Sequence, residues 1–263
     1  DGIRDDLVTG VQTCALPIFE VMAHFKEQAI FYHQDPKAYR DPRTSKVREV
    51  MMGDIVETRE NEVMLSLKIL AHAPLERVEI RNGSEVCSIH RPFDASDLGS
   101  RIRVIWSGAE YRGRGRQTSW KGRADFQHCR ILKMKKINAW NHEKRLQTCG
   151  TKSVEWDAVT TGNFGGFDVW LEEGDDAELD LASNHGSLRI PLNQIDLEDH
   201  VLDAGGLERQ IRVFRLPEIN PHREIEHHLQ IPLKPNQDNP LWVCVTTEDG
   251  FQAWSSPIFV IPS

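Results

Sequence analysis

The sequence predicts a mainly β protein: two β-sandwich domains of immunoglobulin type, one inserted in the other, behind a short N-terminal helix. Three observations carry this prediction. After residue 47 apolar residues recur with a period of two, the spacing that puts alternate side chains on one face of a strand. Turn signals recur at about the 8–12-residue spacing of sandwich strands. No stretch beyond residue 47 reads as a helix of ordinary length.

Taken in order, Phe19–Tyr32 clusters apolar residues without Gly or Pro and reads as a helix remnant. Asp35–Lys46 has two Asp-Pro steps, which push the preceding residues out of the helical region, and reads as a linker. Val63, Leu65, Leu67 and Ile69 then alternate with Met64, Ser66 and Lys68, a half-buried strand that Pro74 ends. Val78 and Ile80 follow, and Asn82-Gly83 marks a hairpin because both residues tolerate positive φ. Val86 and Ile89 lie on the returning strand, and Ile102, Val104 and Trp106 on the next. Past a Gly/Arg-rich break, Phe167, Val169 and Leu171 form one strand face, Leu179 and Leu181 a second, and Leu188, Ile190 and Leu192 a third. The acidic Glu172–Asp176 segment reads as a hairpin tip between the first two. Ile211 and Val213 follow the Gly205-Gly206 turn, and Ile225, Leu229 and Ile231 come next. Leu241–Thr247 and Phe251–Ile261 close the chain around Asp249-Gly250, a strong hairpin signal.

Residues 48–108 supply four or five strands, few for a closed sandwich, and 220–263 supply three. Together they make a seven- or eight-stranded immunoglobulin-like domain, with residues 109–219 inserted as a second β domain and 19–47 as helix remnant and linker. Insertion at a loop tip is tolerated because domain termini often lie close together. The alternative is two sequential domains dividing near Gly150.

Residues 1–18 resemble the in-frame translation of a short-read sequencing adapter, with only Asp6 and Leu7 departing from the constant part. Such a segment is excluded from fold reasoning, and the expectation is an incomplete protein of metagenomic origin. The 263-residue chain carries a net charge of −8; residues 1–18 hold three acids and one base, so the remaining 245 carry −6. That balance argues against a general nucleic-acid partner or an anionic membrane surface. No stretch reaches the roughly 20 apolar residues of a bilayer span. Cys14 falls in the adapter-like segment. Cys87, Cys129, Cys149 and Cys244 are widely spaced and read as ordinary thiols, a weak lean toward a reducing, cytoplasmic compartment.

Five segments resemble one bacterial family, the domain-of-unknown-function family numbered 3604. They are Ala73–Gly83, Arg101–Gly122, Val159–Leu171, Leu202–Pro217 and Leu241–Val260; the RGRGR-x₃-W run and the closing AWSSPI are the most specific. Full-length members resemble PHP-type metal-dependent hydrolases, with a metal site in an N-terminal barrel around a GDLHxHTxxS-like motif. That motif does not occur in this sequence, so no catalytic or metal residue carries over. The resemblance implies a non-catalytic, C-terminal β-rich region. Its partner would be the missing catalytic domain of the same chain, and a divalent metal would belong there, with no cofactor in this fragment.

Arg112, Arg114, Arg116 and Trp120 are the ligand-binding candidates. Arginines on glycine hinges can clamp a phosphate or sulfate bidentately, and an indole can stack on a sugar. A charged surface turn with Trp120 packed inward explains the same residues and is the commoner arrangement. Trp140, Trp156, Trp170, Trp242 and Trp254 invite a carbohydrate platform, against which stands the usual packing of aromatics in sandwich cores. Trp170 alternates opposite to its strand's core face. His227-His228 would point to opposite faces of a strand and cannot share one ion. Gly162–Gly166 lacks phosphate-loop spacing and reads as a β turn. Three functions stay open: the accessory region of a hydrolase, a carbohydrate- or anion-binding module around Arg112–Trp120, and a structural interaction domain.

Overall fold

The computed structural model describes residues 18–111, 113, 116–139 and 145–263. Nearly all of the adapter-like segment, together with Arg112, Arg114 and Trp140, lies outside them. The described residues are mainly β, in two sheets, with two short 3-10 turns at Ala95–Asp97 and Leu192–Gln194.

The chain divides into two compact units, one running to Pro92 and resuming at Pro221, the other spanning Phe93–Asn220. In the first unit lie β1 (Ile18–Tyr32), β2 (Thr44–Met51), β3 (Ile55–Thr58), β4 (Glu62–Leu70), β5 (Leu75–Asn82) and β6 (Glu85–His90). After the second unit the chain adds β15 (Glu224–Pro232), β16 (Asn239–Thr247), β17 (Gln252–Trp254) and β18 (Ile258–Pro262). The second unit holds β7 (Leu98–Ala109), β8 (Thr118–Ile137), β9 (Leu146–Cys149) and β10 (Ser153–Thr160). It continues with β11 (Gly165–Ser183), β12 (Gly186–Pro191), β13 (His200–Asp203) and β14 (Leu207–Pro217).

The first sheet runs β15-β4-β1-β3-β18-β16-β5-β6, with β2 on β1 and β17 on β16. The expected N-terminal helix is a strand. Phe19–Tyr32 forms most of β1, which pairs antiparallel with β4 from Ile18↔Leu70 to His24↔Met64 and with β2 along its other edge. Val21, Ala23, Phe25 and Ala29 all point into the core. That period of two wins over the apolar clustering because each inward side chain meets Val63, Leu65, Leu67 or their neighbours in the same cluster. The linker expected at 19–47 is thus partly strand, and the unit has ten strands, not seven or eight.

The second sheet runs β13-β14-β7-β11-β8-β10-β9, with β12 on β11. The second unit begins at Phe93 and not at residue 109. The reason is register: Arg101–Trp106 pair with Gly165–Trp170 of β11 on one side and with β14 on the other. The acidic Glu172–Asp176 segment is not a hairpin tip. It lies within the single strand β11, where the register on β8 shifts between Glu173 and Glu178 and Asp176 takes φ +54°. Such a bulge bends a long strand and raises its twist. Here it lets β11 and β8 curl, so that Trp106 on β7 stacks on Trp156 of β10 at 5.3 Å although two strands lie between them in the sheet. Phe167 packs against both indoles at 6.2 and 5.9 Å.

Candidate functional site

A recess lies at one end of the second sheet, beside its buried aromatic core. β7 brings Trp106 to that end, and β8 stops there at Ile137. β10 arrives with Asp157–Thr160 and turns through Asn163-Phe164 into Gly165. These residues, with Arg145 and Leu146 at the start of β9, line a recess of about 160 Å³. Asn138 holds the left-handed conformation (φ +49°), and its Nδ2 donates to the carbonyl of Phe164 at 3.1 Å, tying the end of β8 to the turn. Mouths of curled β sheets are common places for small ligands.

Trp106 is 2 % exposed, and its indole N–H has no hydrogen-bond partner. A buried donor left unpaired costs roughly 1–3 kcal/mol. Gly165 lines the recess, and a Cβ placed on it would sit 2.8 Å from that nitrogen. A side chain there would collide with the indole, so glycine is what lets β11 close onto Trp106. Two charged groups lie on the wall, each near an opposite charge: Arg145 is 3.3 Å from Glu155, and Asp157 is 3.6 Å from Lys121.

The ligand candidates read from the sequence fall differently. Arg112 and Arg114 lie outside the described residues. Arg116 is exposed and lies against Gly162, whose notional Cβ would be 3.7 Å from the Arg116 Nε, so it flanks the turn that walls the recess. Trp120 is fully buried: its Nε1 donates to Thr160 Oγ1 at 2.8 Å and its ring meets His185 edge-on. Neither indole face is open for a sugar. Trp106, Trp156 and Gly165 were missed as a set. Only strand register, with Gly165 opposite Trp106, brings the glycine to the indole.

The remaining tryptophans also divide. Trp170 lies on the sheet face opposite the core, as its phase indicates, with Arg101 at 5.0 Å and Lys133 at 4.4 Å from its ring. Trp242 donates to the Gly83 carbonyl beneath the Arg81 guanidinium. Trp254 is 59 % exposed.

On the same sheet face as Trp170, which also carries the smaller apolar cluster of Ile105, Phe214 and Leu216, Arg101 and Arg103 converge on Asp168, and all three are buried. Arg103 Nε lies 2.7 Å from Oδ1 and Arg101 Nη2 lies 2.6 Å from Oδ2. Burial pushes the Asp168 carboxyl up, but Arg103 and then Arg101 outweigh it and hold it below the usual range. This is a structural charge cluster whose carboxylate is fully engaged.

Among the described residues no group of three or more His, Cys, Asp or Glu is placed to hold a metal ion, and no helix is long and apolar enough to cross a membrane. The four described cysteines are free thiols. No family model, curated protein or solved structure matches the chain.

Proposed function

We propose that this chain is a non-catalytic, ligand-binding β-rich region with two immunoglobulin-like units, acting beside a PHP-type metal-dependent hydrolase barrel of the same protein. One observation carries the binding role: a recess at the end of the second sheet, walled by both polar and apolar side chains, with a buried and unpartnered indole N–H at Trp106. The link to a hydrolase rests on the family-like segments, two of which contribute Trp106 and the Val159, Thr160, Asn163, Phe164 and Gly165 side of the recess wall. The divalent metal and the bond-breaking groups belong to the barrel; the β region binds and positions.

Two experiments test the two halves separately. Reading the source DNA upstream of Phe19 is expected to reveal a frame carrying a His-x-His metal motif; an unrelated domain there sinks the hydrolase link. Backbone amide NMR of the chain is expected to show ligand-induced shifts confined to Trp106, Asn138 and Asp157–Gly165. Shifts confined to Arg116 and its loop would move the site to the anion-clamp reading.

A further inference from the structure

We propose that the C-terminal half of β8 is a docking edge for an extended, acidic peptide segment, which adds to the second sheet as one more strand. Backbone comes first. β8 pairs with β10 only as far as Asp125, and from Lys133 to Ile137 β11 is its single strand partner among the described residues. Just before this run the Ile131 N–H donates to the Thr151 carbonyl at 2.7 Å; along the run itself no such bond forms on the side away from β11 among the described residues. In antiparallel pairing alternate residues turn their N–H and C=O away from the partner. The run therefore presents backbone groups that a further strand can bond.

Charge comes second. Lys133, Lys135 and Lys136 are exposed, and none is ion-paired among the described residues. The carboxylates nearest in register are already engaged: Asp168, opposite Lys135, by Arg101 and Arg103, and Glu172 by Arg130. Lys133 lies instead over the Trp170 ring at 4.4 Å. A chain with a net charge of −8 thus concentrates uncompensated cations on one short edge. Lys133 and Lys135 share the sheet face of Trp170 and Asp168, and Lys136 lies opposite Phe167 on the other. An added strand meets a cation on each face, and opposite charges across paired strands stabilise the pairing.

Selectivity comes third. Edge lysines commonly guard a sheet against unwanted pairing. They repel basic strands and resist burial beside apolar ones, whereas a carboxylate pairs with them. The same side chains that exclude other strands therefore admit an acidic one. The occupant is an extended segment of about five residues, enough to match Lys133–Ile137, with acidic side chains at alternate positions.

The test is titration of the full chain with a capped heptapeptide alternating glutamate with threonine, followed by amide hydrogen exchange. The expected result is saturable binding at about millimolar Kd, with exchange slowed about tenfold over Lys133–Ile137 at a peptide concentration about ten times Kd. K133T and K135T together change exposed side chains to a strand-favouring residue and should weaken binding about three- to tenfold. The same heptapeptide with a central proline keeps its charge but cannot complete a strand, and should not bind. Equal binding of the proline peptide, binding that leaves exchange at Lys133–Ile137 unchanged, or binding untouched in the double variant overturns strand addition. A heparin fragment binding where the glutamate peptide does not makes the edge a polysaccharide surface and also overturns it. No saturable binding by any probe leaves the lysines as edge guards alone and overturns the docking role.

Discussion

Two buried polar residues of the second unit make opposite predictions, because one has its partners and the other does not. Asp168 accepts from two guanidiniums in a water-free setting, so its removal leaves buried charge without its counterion. Asp168→Ala should cost about 3–5 kcal/mol in a urea denaturation at neutral pH; a loss under about 1 kcal/mol would mean that the carboxylate is dispensable to the cluster. Its pH signature has a definite sign. The folded pKa lies below the ordinary value of 3.8, so its stabilisation is complete above the unfolded pKa and fades as pH falls through the folded one. Trp120, with its N–H satisfied by Thr160, belongs to the core. Trp120→Phe should lower stability by about 1–3 kcal/mol and leave affinity for any small ligand unchanged. Altered affinity with unchanged stability would restore Trp120 to the binding candidates.

At the scale of elements, the recess depends on how closely β11 approaches β7. At Gly166 a Cβ would lie 2.1 Å from the Val104 carbonyl oxygen, a backbone atom that cannot swing aside. Gly166→Ala should therefore cost roughly 2–3 kcal/mol and widen the β7–β11 pairing. Gly150, in a turn with φ +66° and no atom within 4 Å, should lose only about 1 kcal/mol on the same change. Equal losses at the two sites, measured by thermal denaturation, would contradict the steric account. The same elements explain what was legible in the sequence. Val63–Ile69 and Ile102–Trp106 alternate cleanly because each lines one core, and period two is then visible. β1 was hidden by apolar residues on both of its faces, although Phe19, Val21, Ala23, Phe25, Ala29 and Phe31 all hold the inward phase. β8 was hidden differently: its exposed positions carry Arg123, Arg130, Lys133, Lys135 and Lys136, so the strand reads as charged chain. The recess was least legible. It joins positions 106, 137–138, 145–146 and 157–165, which only strand register brings together.

At the scale of the whole molecule, each unit encloses its own apolar core, and the first unit has a seam whose chemistry depends on pH. Its sheet begins at β15 and ends at β6, yet His227 of β15 and His90 of β6 stack with ring centroids 4.0 Å apart and planes at 14°. The two end strands thus approach each other through a pair of imidazoles. His227 pairs with Leu67 and His90 with Val78, both core residues, so the rings are partly withdrawn from water. Burial lowers both pKa values; His227 adds to the effect on His90, and His228 to that on His227. A base whose folded pKa lies below its unfolded value binds fewer protons when folded. Its contribution is therefore intact above about pH 6.5 and is lost as pH falls from there through the folded values. Both rings keep some contact with water, and screening holds the loss under about 1 kcal/mol per ring. Urea midpoints of the native chain should accordingly decline between pH 7.5 and 5, well above the range where Asp168 titrates. In a His90→Gln, His227→Gln double variant, which keeps polar side chains that do not titrate, that decline should flatten while the acid loss below pH 4 persists. A decline of unchanged size in the double variant would show that the seam is not pH-sensitive and place the titration elsewhere in the unit.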